Sequence, residues 1–120
     1  MKSMELDEFV IKCLALLGAS EETPFGPDAL VYKVAGKMFA LVGEEDGVGR
    51  VNLKGDPERN VSLREEYEAI IPGYHMNKRH WNTLVFDGTL PSELVADLLR
   101  ESYDLVLATL PKKIRQDLEG

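Results

Sequence analysis

Residues Leu30 to Lys54 read LVYKVAGKMFALVGEEDGVGRVNLK, and their punctuation decides the fold. Leu30–Val34 and Met38–Val42 are short runs with β-branched and aromatic members, interrupted at Ala35, Gly36 and Lys37, which predicts a tight hairpin of two antiparallel strands. Glu44–Gly49 supplies an Asp-Gly turn signal, and Arg50–Lys54 then alternates polar and apolar, so a third strand continues the meander. With Val51 and Leu53 turned inward, Arg50, Asn52 and Lys54 share the outer face, and Lys33 joins them if its strand presents the same side.

Upstream, Leu6, Phe9, Val10, Cys13, Leu16 and Leu17 recur at three- and four-residue spacing, which predicts a helix from Met4 to Leu17 ended by Gly18. Ser20–Asp28, SEETPFGPD, carries two prolines and a glycine and is expected to be a connecting loop. Downstream, Asp56 before Pro57 matches a helix start, with an acceptor at the cap and a proline whose missing N–H is not needed in the first turn. That helix is expected to reach about Glu68; Ser62 with Glu65 offers a capping-box alternative for its start. Pro72 and Gly73 end the segment, Trp81–Phe86 has the composition of a strand, and Asp87-Gly88 turns the chain. Ser92 is expected to cap a last helix with Val95, Leu98, Leu99, Tyr103, Val106 and Leu110 as its core stripe, stopped by Pro111 and followed by a basic, then acidic tail. The order α-β-β-β-α-β-α predicts an α+β fold in which helices pack on one face of an antiparallel sheet and leave the other more open.

The chain of 120 residues fits one domain, and 44% hydrophobic with 29% charged residues is ordinary for a globular protein. No apolar run approaches the roughly 20 residues needed to cross a bilayer. The N-terminal MKSMELDEF meets acidic residues where a signal peptide needs an apolar core, so a cytoplasmic location without membrane attachment is expected. Cys13 is the sole cysteine, which excludes an internal disulfide and a cysteine-based zinc site; on the apolar helix face it reads as a small core residue. The net charge of −7 disfavours nonspecific attachment to nucleic acid or anionic lipid, although the acidity sits mainly on the helical segments.

Pro72–Asn82, PGYHMNKRHWN, concentrates the chemistry: both histidines and the only tryptophan lie within it. Lys78 and Arg79 can neutralise phosphates, while Tyr74, Asn77, His80, Trp81 and Asn82 can stack on bases or hydrogen-bond to them. The structural alternative packs Trp81 at a sheet margin, bonds the histidines to backbone and leaves Lys78 and Arg79 solvated or paired with acidic helices. A third option uses the same patch to recognise a protein or small ligand, for which Trp, Tyr and Arg are favoured anchors.

Catalysis is not expected: there is no Walker loop, G-x-G-x-x-G, H-E-x-x-H or G-x-S-x-G. Ser102, deep in the last helix, suits packing or a backbone hydrogen bond better than attack. A metal site is not expected either, since the five-residue spacing of His75 and His80 points them apart on a strand or a helix. No cofactor is implied.

LKGDPE at Leu53–Glu58, PGYHMNKRHWNT at Pro72–Thr83, and SYDLV followed by LPKK between Ser102 and Lys113 together resemble the MmcQ/YjbR family across nearly the whole chain. The resemblance implies a fold similar to the bacterial frataxin CyaY, an antiparallel sheet flanked by helices, and a DNA-binding function. The positions matching its motif are His75, Asn77, Lys78, Arg79, His80, Trp81 and Asn82, with Lys54 in the preceding motif. The resulting expectation is a DNA-binding domain that uses the sheet face and the Tyr74–Asn82 segment. Lys54, Lys78 and Arg79 would contact phosphate, Trp81 would stack, and Asn77, His80 and Asn82 would make directional hydrogen bonds. The alternative is a non-enzymatic module that recognises a protein or small ligand through the same patch.

Overall fold

Six antiparallel strands form one sheet in the order β1-β2-β3-β4-β6-β5 in a computed structural model that describes residues 3–73 and 76–119. Along the chain the elements are α1 (Leu6–Ala15), β1 (Ala19–Glu22), β2 (Leu30–Val34), β3 (Lys37–Glu45), β4 (Val48–Lys54), α2 (Pro57–Glu66), β5 (Ile70–Pro72), β6 (Trp81–Val85), α3 (Ser92–Ala108) and α4 (Lys112–Glu119). The α+β class and the β2-β3-β4 meander are as the sequence predicts. Both hairpin turns bend through paired positive φ angles, at Ala35 (49°) with Gly36 (79°) and at Asp46 (53°) with Gly47 (80°), the conformation that two-residue hairpins require.

Register sorts the side chains. Ala40 pairs with Leu53, Val42 with Val51, and Val51 with Leu84, while Ile70 also faces Leu84, so these residues share one face. Phe9 and Cys13 of α1, Leu63 of α2, and Val95, Leu98, Leu99, Tyr103 and Val106 of α3 complete the same buried cluster. Phe39 and Tyr103 meet edge to face with ring centroids 5.4 Å apart, tying α3 to β3. The Tyr103 hydroxyl donates to the Leu17 carbonyl and fixes the end of α1.

Ser102, fully buried, accepts from the Lys54 N–H (2.9 Å) and donates to the Phe39 carbonyl (2.6 Å). The β2-β3 register shifts between Tyr32 and Lys33, and the last β3-β4 pair is Ala40 with Leu53. The serine hydroxyl therefore closes a gap where the ladder opens. Its role is the backbone hydrogen bond expected for it.

Three elements correct the expected order. Ser20–Asp28 is not all loop: β1 occupies Ala19–Glu22 and pairs with β2 alone. Its ASEE composition hides it because an edge strand with exposed Ser20, Glu21 and Glu22 carries no apolar alternation. Pro72 does not simply end a helix; it closes β5, a three-residue edge strand, where a residue without an N–H is tolerated. The tail after Pro111 forms α4, with the Arg115 N–H bonded to the Pro111 carbonyl, so the proline that stops α3 also starts the next helix. Boundaries move as well: α1 spans Leu6–Ala15 rather than Met4 to Leu17, and Leu17 is exposed instead of on its packed face. α2 ends at Glu66, short of Glu68. The cap of α3 is Pro91, with no side-chain cap bond, and Ser92 is already helical.

Candidate functional site

The sheet's second face carries the odd register. Leu41 pairs with Asn52, Asn52 with Thr83, Thr83 with Ile71, Arg50 with Val85 and Lys54 with Trp81. Arg50, Asn52, Lys54, Thr83 and Trp81 therefore stand on one side of β4 and β6, opposite the buried cluster. Lys33 lies on this side as anticipated, where its Nζ meets Glu22 at 2.7 Å. Arg50 Nη1 meets Glu45 Oε2 at 3.1 Å. The other ion pairs among the described residues, Arg59–Glu101 and Arg100–Asp104, lie on the helices, and Lys54, Lys78 and Arg79 take part in none.

The motif stretch divides between structural and outward roles. Asn77 Oδ1 accepts the Arg79 N–H at 3.0 Å, and the Asn77 carbonyl accepts from His80 and Trp81, which makes residues 77–81 a self-bonded turn. From α2, Asn60 Nδ2 donates to the Arg79 carbonyl (3.2 Å) and to the Gly55 carbonyl (3.3 Å). Arg64 Nη1 donates to the Lys78 carbonyl (3.3 Å) and to Asn82 Oδ1 (2.8 Å), and Asn82 Nδ2 donates to the Asn60 carbonyl (3.2 Å). Gly55 N–H bonds to the His80 carbonyl at 2.8 Å, and a Cβ at Gly55 would overlap the Asn60 amide. Gly73 N–H bonds to the Trp81 carbonyl, where a Cβ at Gly73 would come within 2.9 Å of the Trp81 Cβ. Both glycines are thus required by close approach.

Asn82 is accordingly a correction. It points to the helix side at 2% exposure, with its amide oxygen bonded to Arg64 and its NH2 to the Asn60 carbonyl, so it is turned away from any ligand on the open face. Asn77 is exposed, but its side-chain oxygen serves the turn. Lys78 and Arg79 are exposed, and His80, Trp81 and Lys54 are half-buried. Lys54 and Trp81 face each other across the strands, and the turn holding Lys78 and Arg79 leads directly into Trp81. The expected roles of Tyr74 and His75 lie outside the described residues. Asn60 and Arg64, which fasten the turn, escape sequence reasoning; the signal is an asparagine and an arginine four apart on a helix whose inner face needs only Leu63 for packing.

Among the described residues no cluster of three or more His, Cys, Asp or Glu side chains is arranged to hold a metal ion. No helix among them is long and apolar enough to cross a membrane. Burial pushes the Cys13 thiol up to about 12, helped by the nearby Glu21 carboxylate. Burial likewise raises Tyr32, whose hydroxyl donates to Glu21 Oε2 at 2.7 Å. Both belong to the helix-side core and to its edge at β1.

A single antiparallel sheet with its main buried cluster on the helical side, and an opposite side that mixes Arg50, Asn52, Lys54 and Thr83 with the apolar Val31, Leu41, Ile71 and Trp81, defines the class: an α+β sheet protein with one helix-covered and one more open face. The chain belongs to the YjbR family, whose profile matches residues 14–105. It is 33% identical over 113 residues to the "Uncharacterized protein YjbR" of Escherichia coli K12, covering 94% of this chain and 96% of that protein. It is 41% identical over 90 residues to the "Uncharacterized protein YbdF" of Escherichia coli O157:H7, covering 75% and 74%. The crystal structure of Deinococcus radiodurans protein DR2400, with domain DUF419, superposes with a TM-score of 0.88 at 40% identity, covering 99% of this chain and 89% of that one. A Pseudomonas syringae crystal structure gives a TM-score of 0.75 at 28% identity, covering 85% and 98%.

Proposed function

We propose that this protein binds nucleic acid, DNA foremost, in the cytoplasm as a binding module rather than an enzyme, and that single strands are the preferred form. The supporting observation is the placement of Trp81 opposite Lys54 on the open face, continuous with the exposed Lys78–Arg79 turn and without ion pairs to acidic side chains among the described residues. The net charge of −7 is compatible with this reading because the sheet places the acid-rich helices on its other side; α3 alone carries Glu93, Asp97, Glu101 and Asp104. Lys54, Lys78 and Arg79 would neutralise phosphates along one corner, and the indole would take the face of an unpaired base, which a stacked duplex does not present. His80 and the Asn77 NH2 are the polar groups beside that stack. Asn82 acts behind it by holding the turn through Arg64 and Asn60.

Fluorescence anisotropy of labelled single-stranded DNA, duplex DNA and RNA, at low and moderate salt, tests the reading. Saturable single-strand binding is expected, with log K falling linearly in log salt, and a Lys78→Ala, Arg79→Ala variant should flatten that slope by roughly one to two. Absence of binding at low salt with the protein folded would sink it and turn the search to protein and small-molecule partners.

A further inference from the structure

Of the charged side chains on α2, Arg64 alone is not exposed; it turns inward on the same stripe as Asn60 and Leu63. The last turn of a helix favours a cation. The guanidinium nevertheless serves the 77–81 turn rather than the α2 carbonyls. Its Nη1 makes both of its bonds, to the Lys78 carbonyl and to Asn82 Oδ1, and both acceptors are neutral. Nε and Nη2 donate to nothing among the described residues, and neither counts among the buried atoms left without a partner, so this edge of the half-buried side chain stays within reach of a ligand.

The charge of Arg64 is unanswered as well. It joins none of the ion pairs among the described residues, although acidic residues outnumber basic ones 21 to 14 in the chain. Glu65 and Glu66 follow it directly but stand on the exposed side of α2, because consecutive helical residues do not share a face. Glu68, beyond the helix, is exposed and equally unpaired. Lys78 and Arg79, on the turn that Arg64 and Asn60 hold, are also exposed and without ion pairs. Three cations therefore meet where the end of α2 reaches the turn. A partly desolvated cation without a counter-charge is costly, and an anion removes that cost. A guanidinium oriented through one nitrogen presents a planar pair of donors along its Nε–Nη2 edge, which matches two oxygens of a phosphate; with two more cations beside it, a phosphate suits the charge better than a carboxylate.

We propose that Arg64 is the centre of a phosphate-binding site between α2 and the 77–81 turn, its Nε–Nη2 edge taking two phosphate oxygens while Lys78 and Arg79 supply the remaining charge. This deepens the nucleic-acid reading by adding a cation from the helix side, yet it is separable from that reading because a free phosphate group is enough to fill the site.

The test follows the Arg64 Nε–H signal of 15N-labelled protein during titration with inorganic phosphate and with single-stranded oligothymidylate, each against chloride at matched ionic strength. Saturable shifts are expected with both, the oligonucleotide binding at least about tenfold more tightly because the base stack adds to the phosphate contact. Arg64→Gln keeps an NH2 for the turn but removes the charge, and should lower the salt slope of oligonucleotide binding by about one with the protein still folded. Arg64→Lys keeps the charge but not the planar pair of donors, so the slope should hold while affinity falls roughly tenfold. Lys78→Ala, at an exposed position whose side chain takes no part in the clamp, should weaken the phosphate response at Arg64 without altering the urea midpoint. A response to phosphate alone would uphold the site and remove the nucleic-acid reading; a response to the oligonucleotide alone would uphold it as a contact to the strand backbone. No shift at Arg64 beyond that of chloride with either probe, or an unchanged slope in folded Arg64→Gln, would overturn the proposal.

Discussion

Asn82 and Trp81 are neighbours in sequence and opposites in structure. Trp81 faces the open side of the sheet beside Lys54, whereas Asn82 faces the helices at 2% exposure with its amide bonded to Asn60 and Arg64. The two-residue period of a strand puts a recognition position and a scaffold position side by side. A dense polar motif is therefore two functions interleaved, and losses on the two faces should differ in kind: stability on the covered face, binding on the open one.

Asn82→Ala should show the largest effect. It leaves the Arg64 guanidinium and the Asn60 carbonyl without their partner in a buried setting, at a cost of about 2–3 kcal/mol, read as a lower urea midpoint. Ser102→Ala comes next, at about 1–3 kcal/mol, because both the Lys54 N–H and the Phe39 carbonyl lose the hydroxyl that joins them. On the open face, the Lys78→Ala, Arg79→Ala variant should move stability by less than about 0.5 kcal/mol while weakening single-strand binding. Equal stability losses for Asn82→Ala and that double variant would break the distinction between the faces.

Two titrations sharpen the comparison. Burial pushes the Cys13 thiol up to about 12, so the folded protein holds it neutral while the unfolded chain releases its proton near the ordinary value of 9.0. The unfolded chain then binds fewer protons than the native one, so this contribution to stability is fully present below that ordinary value and is lost as pH rises toward 12. Thiol labelling of native protein at mildly alkaline pH should accordingly be slow and limited by opening, and a strongly denatured sample should label at once. The smallest effect is at Asp87, outside the core, whose carboxyl is lowered by the Thr89 hydroxyl and N–H. Its contribution is present above the usual carboxylate range and fades as pH falls through the lowered value, and Thr89→Ala should return the Asp87 titration toward normal in an NMR pH series.

The sequence was most legible where local chemistry is strong. The β2-β3-β4 meander follows from alternation and from turn residues able to take positive φ, and Asp56 caps α2 as expected, accepting from the Glu58 and Arg59 N–H groups. Elements whose pairing is one-sided were opaque: β1 and β5 are edge strands too short or too polar to alternate, and α4 has only Ile114 and Leu118 as apolar residues. The outer row of Arg50, Asn52 and Lys54 was readable from parity alone. The burial of Asn82 was not, because its partners Asn60 and Arg64 lie on a helix 18 to 22 residues away in the chain.

Trp81, the only tryptophan, sits where the proposed strand would cross the open face, so its emission during a titration with single-stranded DNA tests the central claim most directly. A saturable change that weakens with salt and disappears in a combined Lys54→Ala, Lys78→Ala, Arg79→Ala variant is the predicted result. Unchanged Trp81 emission from folded protein at low salt, or an equal change in that variant, would contradict it.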